Sequence, residues 1–487
     1  MKRPHLKSML LKSTLLKSTL LTSTCMSLIL AGWCQGAQAQ LLDRLGNQVD
    51  GVTRELEQVT EDVQEQVRKT AEDELSGQVI NPLTDTLGQA VEGAVQSTEG
   101  LAKATGDSVG NTLAARLPIL NRAGATAFVE VRVEDNWRAV EREWLMLLDQ
   151  PGLTALAALD AEIIEQTQFA DLGLQLVRFR VPAALDSLPE LKKHLPAHLH
   201  EQLDRNHIYS PQRGGPHGVI QAKEQHSSAI SITPVAKSMC DHAVSVGVID
   251  TALNTHHVAF ANSHIESQDF AGAEFEAPRA HGTAVVGILV GMRGGQNQPL
   301  IPLLPAATVF SASVFYPRSD YAQGATMVNL VRALNWLAEK KVRVINMSLA
   351  GPDNKILALA IQKIIQSGIT IVAAAGNEGP AALPAYPAAY ADVIAVTAVD
   401  KNQRIYRWAN RGDYIDFAAV GVAVFTARSS GDFGPETGTS MAAPLVTAAV
   451  ACTTKNISAI DQLKKQALDL GAAGRDPIFG DGLISRP

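Results

Sequence analysis

The sequence predicts an α/β protein whose C-terminal half is a doubly wound, mostly parallel sheet, preceded by a small α+β module. Three observations carry this. After residue 240, short continuous apolar runs at 244–249, 308–315, 342–345, 369–373 and 393–396 read as strands buried on both faces. Amphipathic stretches at 327–340 and 354–367 fall between them, the alternation that builds a parallel sheet with helices on both sides. Between 126 and 212 the texture differs, with alternating runs at 127–133 and 174–181 that suit half-buried strands.

Taken in order, the chain opens with Lys2, Arg3, Lys7, Lys12 and Lys17, then an apolar stretch at 20–34 and Ala37-Gln38-Ala39. That succession is an export signal with cleavage after Ala39. The apolar stretch is short for a membrane span and holds Thr22, Ser23, Thr24 and Ser27, so no stable membrane insertion is expected. A lipid-anchored reading through Cys34 is the weaker one, because Trp33 stands where a small residue is wanted. Localisation is therefore secreted or periplasmic. Removal of the signal leaves Cys240 and Cys452, which in an export compartment could be bridged or could stay as buried thiols.

The chain has 487 residues, 46% apolar, with formal net charge −7. That is enough for two or three globular units, and the mild acidity with no basic stripe beyond the first residues argues against nucleic acid as a partner. In 40–125, apolar residues at 42, 45, 49, 52, 56, 59 and 63 form a heptad-like stripe through which the chain could associate with itself, although Gly46 and Gly51 weaken the helix. The remainder, rich in Gly, Ser, Thr and Ala, reads as a spacer. In 126–212 the residues from Trp137 to Leu148 read as an amphipathic helix and those from Leu185 to Leu203 as a second helix. Asn206-His207-Ile208-Tyr209 follows as a short last strand. The order strand, helix, strand, helix, strand suits a ferredoxin-like module. Residues 213–239 are a linker, and Gln212-Arg213-Gly214-Gly215-Pro216 is an exposed, cleavable join.

The unit at 240–487 sets polar residues at element boundaries. Asp250, Asn346 and Asn377 each end an apolar strand, where open α/β sheets place their sites. His281 opens a helix, with Gly282 permitting close approach. Ser440 stands at the start of the apolar helix that follows Gly438-Thr439, with its hydroxyl and backbone N–H at the positive end of the helix dipole. Pro444 fits that helix if it lies in the first turn. Asp, His, Asn and Ser lie far apart in sequence, so only a fold that converges them makes a site.

From about 243 to 484 the chain resembles the subtilisin-like serine peptidases. Val248-Ile249-Asp250-Thr251 matches the family's aspartate motif and His281-Gly282-Thr283 its histidine motif. Ala373-Ala374-Ala375-Gly376-Asn377 matches the oxyanion motif and Gly438-Thr439-Ser440-Met441-Ala442 with Pro444 the nucleophile motif. Asn346-Met347-Ser348-Leu349 and Tyr386-Pro387 match as well. Ala252, Ala284 and Ala350 depart from the pattern without removing a reacting atom. The resemblance implies that Ser440 attacks a peptide carbonyl, His281 moves the proton, Asp250 orients His281, and Asn377 donates to the oxyanion. It also implies that Ser348-Leu349-Ala350 and Ala374-Ala375-Gly376 wall the primary substrate pocket, with Ala385 at its floor. No acidic residue matches those walls, so an apolar or aromatic side chain before the cleaved bond is expected of polypeptide substrates. Family members often bind calcium, but Gly291 to Pro299 offers no carboxylate, so no metal or cofactor is expected. The module at 126–212 is then similar to the family's inhibitory propeptide, an intramolecular partner whose last strand lies along the cleft. Two other readings stay open: an inert peptide-binding pseudoprotease and a surface-assembly protein.

Overall fold

A computed structural model describes residues 116–212, 237–294, 299–319, 322–454 and 458–486. The expected export signal at 1–39, the stripe at 42–63 and most of the linker at 213–239 lie outside the described residues.

The N-terminal module contains β1 (Arg116–Leu120), β2 (Thr126–Arg132), β3 (Arg138–Leu147), α1 (Gln150–Ala158), β4 (Glu162–Phe169), β5 (Leu174–Arg180), α2 (Leu188–His194) and β6 (Leu203–Pro211). Its antiparallel core runs β4-β5-β3-β6, and the β1–β2 hairpin joins through β2 to the first residues of β3. Three expectations change here. The module's sheet begins at Arg116, inside the stretch read as spacer. The segment from Trp137 to Leu148, expected as a helix, is the central strand β3. A bulge explains the helix-like spacing: Arg142 has φ 60°, the register against β6 slips between Ala139 and Trp144, and strict alternation is lost. Trp144 and Met146 then pack under α1 and α2 with Leu156 and Leu191, while Leu145 faces the opposite side with Leu174 and Leu176. Finally, the single helix expected over 185–203 is only α2. Ser187 caps it by accepting from Glu190 N, and Leu195, extended before Pro196, stops it. Helix α1, absent from the sequence reading, starts on Asp149, whose side chain accepts from Gly152 N at 2.6 Å, with Pro151 in the first turn.

The C-terminal unit follows with β7 (Ser245–Asp250), β8 (His264–Asp269), α3 (Ala280–Val290), β9 (Thr308–Ser313), β10 (Tyr316–Pro317), β11 (Gln323–Thr326), α4 (Met327–Glu339), β12 (Val344–Met347), β13 (Leu349–Ala350) and α5 (Lys355–Gln366). It continues with β14 (Thr370–Ala374), β15 (Ile394–Val399), β16 (Phe417–Val420), the hairpin β17 (Val424–Ala427) and β18 (Phe433–Glu436), α6 (Thr439–Ala451) and α7 (Ala459–Gln466). Seven strands form a wholly parallel sheet in the order β16-β15-β14-β12-β7-β9-β8. Because side chains alternate across a strand, the central strands feed two cores. Val246, Val248, Val344 and Val372 pack with α3 and α6, whereas Ile249, Ile345, Met347 and Ile371 pack with α4 and α5. Helices thus cover both faces.

The short strands β10, β11 and β13 stand outside that sheet and extend the module's sheet instead, giving nine strands that cross from one unit to the other. Beside them the module's exposed face is closed: Leu145, Leu174 and Leu176 share one apolar cluster with Leu330, Val331 and Leu334 of α4. Cys240 and Cys452 form a disulfide that ties the segment before β7 to the end of α6.

Candidate active site

Asp250 is the last residue of β7 and is wholly buried; His281 is the second residue of α3. Nδ1 of His281 lies 2.7 Å from Oδ1 and 2.9 Å from Oδ2 of Asp250. Two backbone features hold this pair. Thr251 N donates to Asp250 Oδ1 at 2.6 Å, and Gly282 N donates to Thr251 Oγ1 at 2.8 Å. Gly282 is required there, since a Cβ would come within 2.3 Å of the Thr251 carbonyl oxygen. Ala252, where the motif more often has Gly, is not among the left-handed residues, so its side chain strains nothing.

Ser440 is the second residue of α6, which begins after Gly438 in a left-handed turn with φ 144°. Pro444 is six residues into that helix, past the first turn where it was expected, and its ring leaves the Ser440 carbonyl without its usual helical donor. Ser348 Oγ stands in, donating to the Ser440 carbonyl at 3.4 Å. Asn377 follows β14 and the left-handed Gly376. Its Oδ1 accepts from Thr439 N at 3.0 Å and from Thr439 Oγ1 at 3.1 Å, which fixes the side chain so that its amide end is the donor.

The cleft is occupied by the chain's own strand. β6 pairs with β11 through Tyr209–Ala325 and Ile208–Thr326, and with β13 through Ser210–Ala350 and Pro211–Leu349. Gln212 N then donates to the Ser348 carbonyl at 3.1 Å. The Gln212 carbonyl oxygen accepts from Ser440 Oγ at 2.5 Å and lies 3.3 Å from His281 Nε2. Asp250, His281, Ser440 and a backbone carbonyl are therefore brought to one point. Such a set can take a proton from a serine hydroxyl and hold the resulting imidazolium against a buried carboxylate.

Of the pocket residues read from sequence, Ser348, Leu349 and Ala350 flank the bound strand. The Gly351 backbone pairs with Tyr386, which draws Ala385 beside them. Ala374 ends β14, and Ala375 and Gly376 lead on to Asn377. The Ala375 carbonyl accepts from Tyr414 Oη, and Gly376 N donates to Thr439 Oγ1 at 3.3 Å. The strand runs two residues beyond the four read as its last stretch. Sequence reasoning passed over Gln212 as part of the join, and over Glu378, whose Oε1 accepts from Gln212 Nε2 at 3.1 Å and whose Oε2 accepts from Asn377 N. Tyr209, read only as the end of the last strand, is wholly buried: its hydroxyl donates to the Pro352 carbonyl at 2.7 Å and its ring leaves no room for a Cβ on Gly351. The buried aromatic in a strand leading to a cleavable join was the available signal.

Behind the strand, side chains of β6 cap two helices of the C-terminal unit, α4 and α5. Asp204 Oδ2 accepts from Lys355 N at the start of α5, and Asn206 Oδ1 accepts from Val328 N at the start of α4. Burial raises the Asp204 carboxyl to about 6, and burial together with the Arg205 charge pushes His207 down to about 4. Among the described residues no group of three or more His, Cys, Asp and Glu is arranged to hold a metal, and no helix is long and apolar enough to cross a membrane.

Residues 241–475 match the model of the subtilase family. The chain is 27% identical over 248 residues to the minor extracellular protease Epr of Bacillus subtilis, an alignment that covers 50% of this chain and 37% of that protein. It is 32% identical over 227 residues to the major intracellular serine protease of the same organism, covering 44% of this chain and 70% of the relative. Subtilisin DY of Bacillus licheniformis is 30% identical over 259 residues, covering 50% of this chain and 89% of the relative. Against subtilisin E of Bacillus subtilis the match spans 64% of the relative's length. The crystal structure of fervidolysin from Fervidobacterium pennivorans superposes with TM-score 0.57 at 18% identity, over 72% of this chain and 61% of that one. With the parallel sheet, the Asp250–His281 pair and Ser440 on α6 in the stretch that these relatives share, the chain belongs to the subtilase family.

Proposed function

We propose that this protein is an exported serine endopeptidase made as a precursor and held latent by residues 116–212 until the bond between Gln212 and Arg213 is cut. The observation that carries the reading is the Gln212 carbonyl, seated against Ser440 Oγ and His281 Nε2 at the end of a strand paired on both sides. Ser440 attacks that carbonyl carbon, and His281 takes the hydroxyl proton and returns it to the Arg213 nitrogen as the peptide bond breaks. Water then repeats the attack on the acyl-enzyme with the same proton path, releasing the Gln212 carboxylate and restoring Ser440. Asp250 holds His281 in orientation and stabilises its charged form, while the Asn377 amide and the Ser440 N–H receive the oxyanion. The module's β-α-β-β-α-β core supports a ferredoxin-like propeptide that inhibits as a product-like strand.

Other polypeptides take the same place once the module leaves. The residue before their cleaved bond is uncharged, apolar or aromatic against the alanine-rich walls, and Glu378 adds an acceptor for an amide such as that of Gln212. Secretion follows from the basic and apolar start of the chain, and Epr, named as extracellular, is consistent with it.

The test compares the full chain with its Ser440→Ala variant by intact mass and N-terminal sequencing. The expected result is a wild-type fragment beginning Arg213-Gly214-Gly215-Pro216 and a variant that stays whole at that bond. Equal shortening of both chains would show that another protease does the cutting, and a folded wild-type chain that neither shortens nor takes a fluorophosphonate label on Ser440 would sink the reading.

A further inference from the structure

The helix that carries Ser440 has a defect two residues short of where its second turn should close, and a buried polar chain repairs it. A helical residue at 444 would donate its N–H to the carbonyl of Ser440, but proline has no N–H. Three wholly buried side chains form a relay that ends on that carbonyl. Thr447 Oγ1 donates to Asn346 Oδ1 at 3.0 Å, Asn346 Nδ2 donates to Ser348 Oγ at 2.9 Å, and Ser348 Oγ donates to the Ser440 carbonyl at 3.4 Å. Every bond in the chain points the same way, so each polarises the next toward Ser440. Asn346 is the third of the four residues of β12, the strand at the centre of the parallel sheet, paired with β7 and β14. The carbonyl is thereby tied to a strand paired on both sides.

We propose that Asn346 and Ser348 are positioning residues: they substitute for the hydrogen bond that Pro444 removes, and through the Ser440 carbonyl they fix the peptide unit that sets the direction of its hydroxyl. This rests on the reading of Ser440 as the nucleophile. Ser348 acts on two partners with different atoms. Its backbone carbonyl holds the bound strand through Gln212 N, and its hydroxyl holds Ser440. Replacing the side chain leaves the first contact in place. Ser348→Ala therefore lowers kcat with KM little changed, by about tenfold for the loss of one net hydrogen bond expressed in the transition state.

A merely structural role would give the same pattern whatever stands at 444, so the test is a double-mutant cycle. Full-length chains carrying Ser348→Ala, Pro444→Ala or both are allowed to shorten, and kcat and KM are measured on one peptide, with the rate of fluorophosphonate labelling at Ser440 as a second readout. In the Pro444→Ala background the helix supplies its own N–H to the Ser440 carbonyl, and the cost of Ser348→Ala is expected to shrink to about twofold or less. An equal cost in both backgrounds would overturn the proposal. Thr447→Val keeps the shape and removes the first donor. It is expected to lower kcat severalfold with the same relief by Pro444→Ala, and it stands in for Ser348→Ala should that variant fail to fold. A wild-type chain that takes no label refutes the peptidase reading itself; a labelled wild type with no relief in the cycle refutes only the positioning role.

Discussion

Glu378 is the residue at which the sequence and the structure differ most usefully. From sequence it was simply the neighbour of Asn377, and no acidic residue was expected at the pocket walls. In space its carboxylate has two tasks, accepting from Asn377 N with one oxygen and from Gln212 Nε2 with the other. The second contact recognises the end of a bound side chain, and nothing in the spacing of residues could reveal it, because Gln212 lies 166 positions away. Glu378→Ala is expected to lower kcat/KM for peptides with Gln before the cleaved bond by about tenfold relative to peptides with Leu there, the worth of one charge-assisted hydrogen bond. Taking the ratio of the two substrates cancels any disturbance passed through Asn377, which affects both alike. An unchanged ratio would mean that the pocket does not read the side chain with this residue. Asp250, His281, Asn377 and Ser440 were legible earlier because each belongs to a short run in which backbone demands are visible in the letters: glycine at 282 where a Cβ would strike a carbonyl, and glycine at 438 where φ is positive.

At the scale of elements, the parallel sheet was readable because a strand buried on both faces is apolar along most of its length, as are residues 246–249 of β7, Val344, Ile345 and Met347 of β12, and residues 371–374 of β14. The module was harder. β3 carries the same apolar content, but a bulge at Arg142 gives it a helix-like spacing, and β4 is too exposed to show its alternation. The strand that matters most, β6, reads as polar in sequence, with Asp204, Arg205, Asn206 and His207 in succession. Its polarity is spent on the two helix caps and on a buried contact in which Asn354 Nδ2 donates to His207 Nδ1 at 2.9 Å. That contact requires a neutral imidazole, since Asn354 Oδ1 is already taken by Ile356 N and Leu357 N. A pH dependence follows, with two opposed signs. His207 is held at about 4 against an ordinary value near 6.5, so its contribution is complete above 6.5 and lost as pH falls toward 4. Asp204 is held at about 6 against about 3.8, so its buried charge destabilises at neutral pH and is relieved as pH falls below 6. In the uncut Ser440→Ala chain the two largely offset, and Tm is expected to change little through these groups between pH 7 and 4.5. Adding Asp204→Asn should expose the His207 response, with Tm falling on acidification, whereas adding His207→Gln should make Tm rise relative to the parent over the same range. Thermal scans at several pH values check this, and parallel curves for both variants would show that neither group is buried as described.

For the whole molecule, one sheet and one apolar cluster run from the module into the C-terminal unit, so the two pack as one body in the uncut chain. The cut proposed after Gln212 would change what holds the segment that leads into β7. Before it, 237–244 is an internal stretch; after it, that stretch lies near a chain end, held by Met239 N on the Leu303 carbonyl, by Arg486 on the Lys237 carbonyl, and by the disulfide from Cys240 to Cys452. The far end of this bridge is the C-cap of α6, thirteen residues of helix away from the turn that presents Ser440. The bridge closes a loop of sequence separation 212, for which loss of chain entropy in the unfolded state corresponds to at most about 5 kcal/mol. Replacing both residues, Cys240→Ser with Cys452→Ser, is therefore expected to lower Tm by about 10 °C. The loss should be larger in the shortened protein than in the uncut Ser440→Ala chain, where the module still packs on α4 and α5. Differential scanning calorimetry on both forms with and without the bridge measures the difference. Equal losses would mean that the bridge stabilises only by shortening the unfolded chain, whereas a larger loss after cutting identifies it as the clamp that keeps the start of β7 and the end of α6 together once the module has gone.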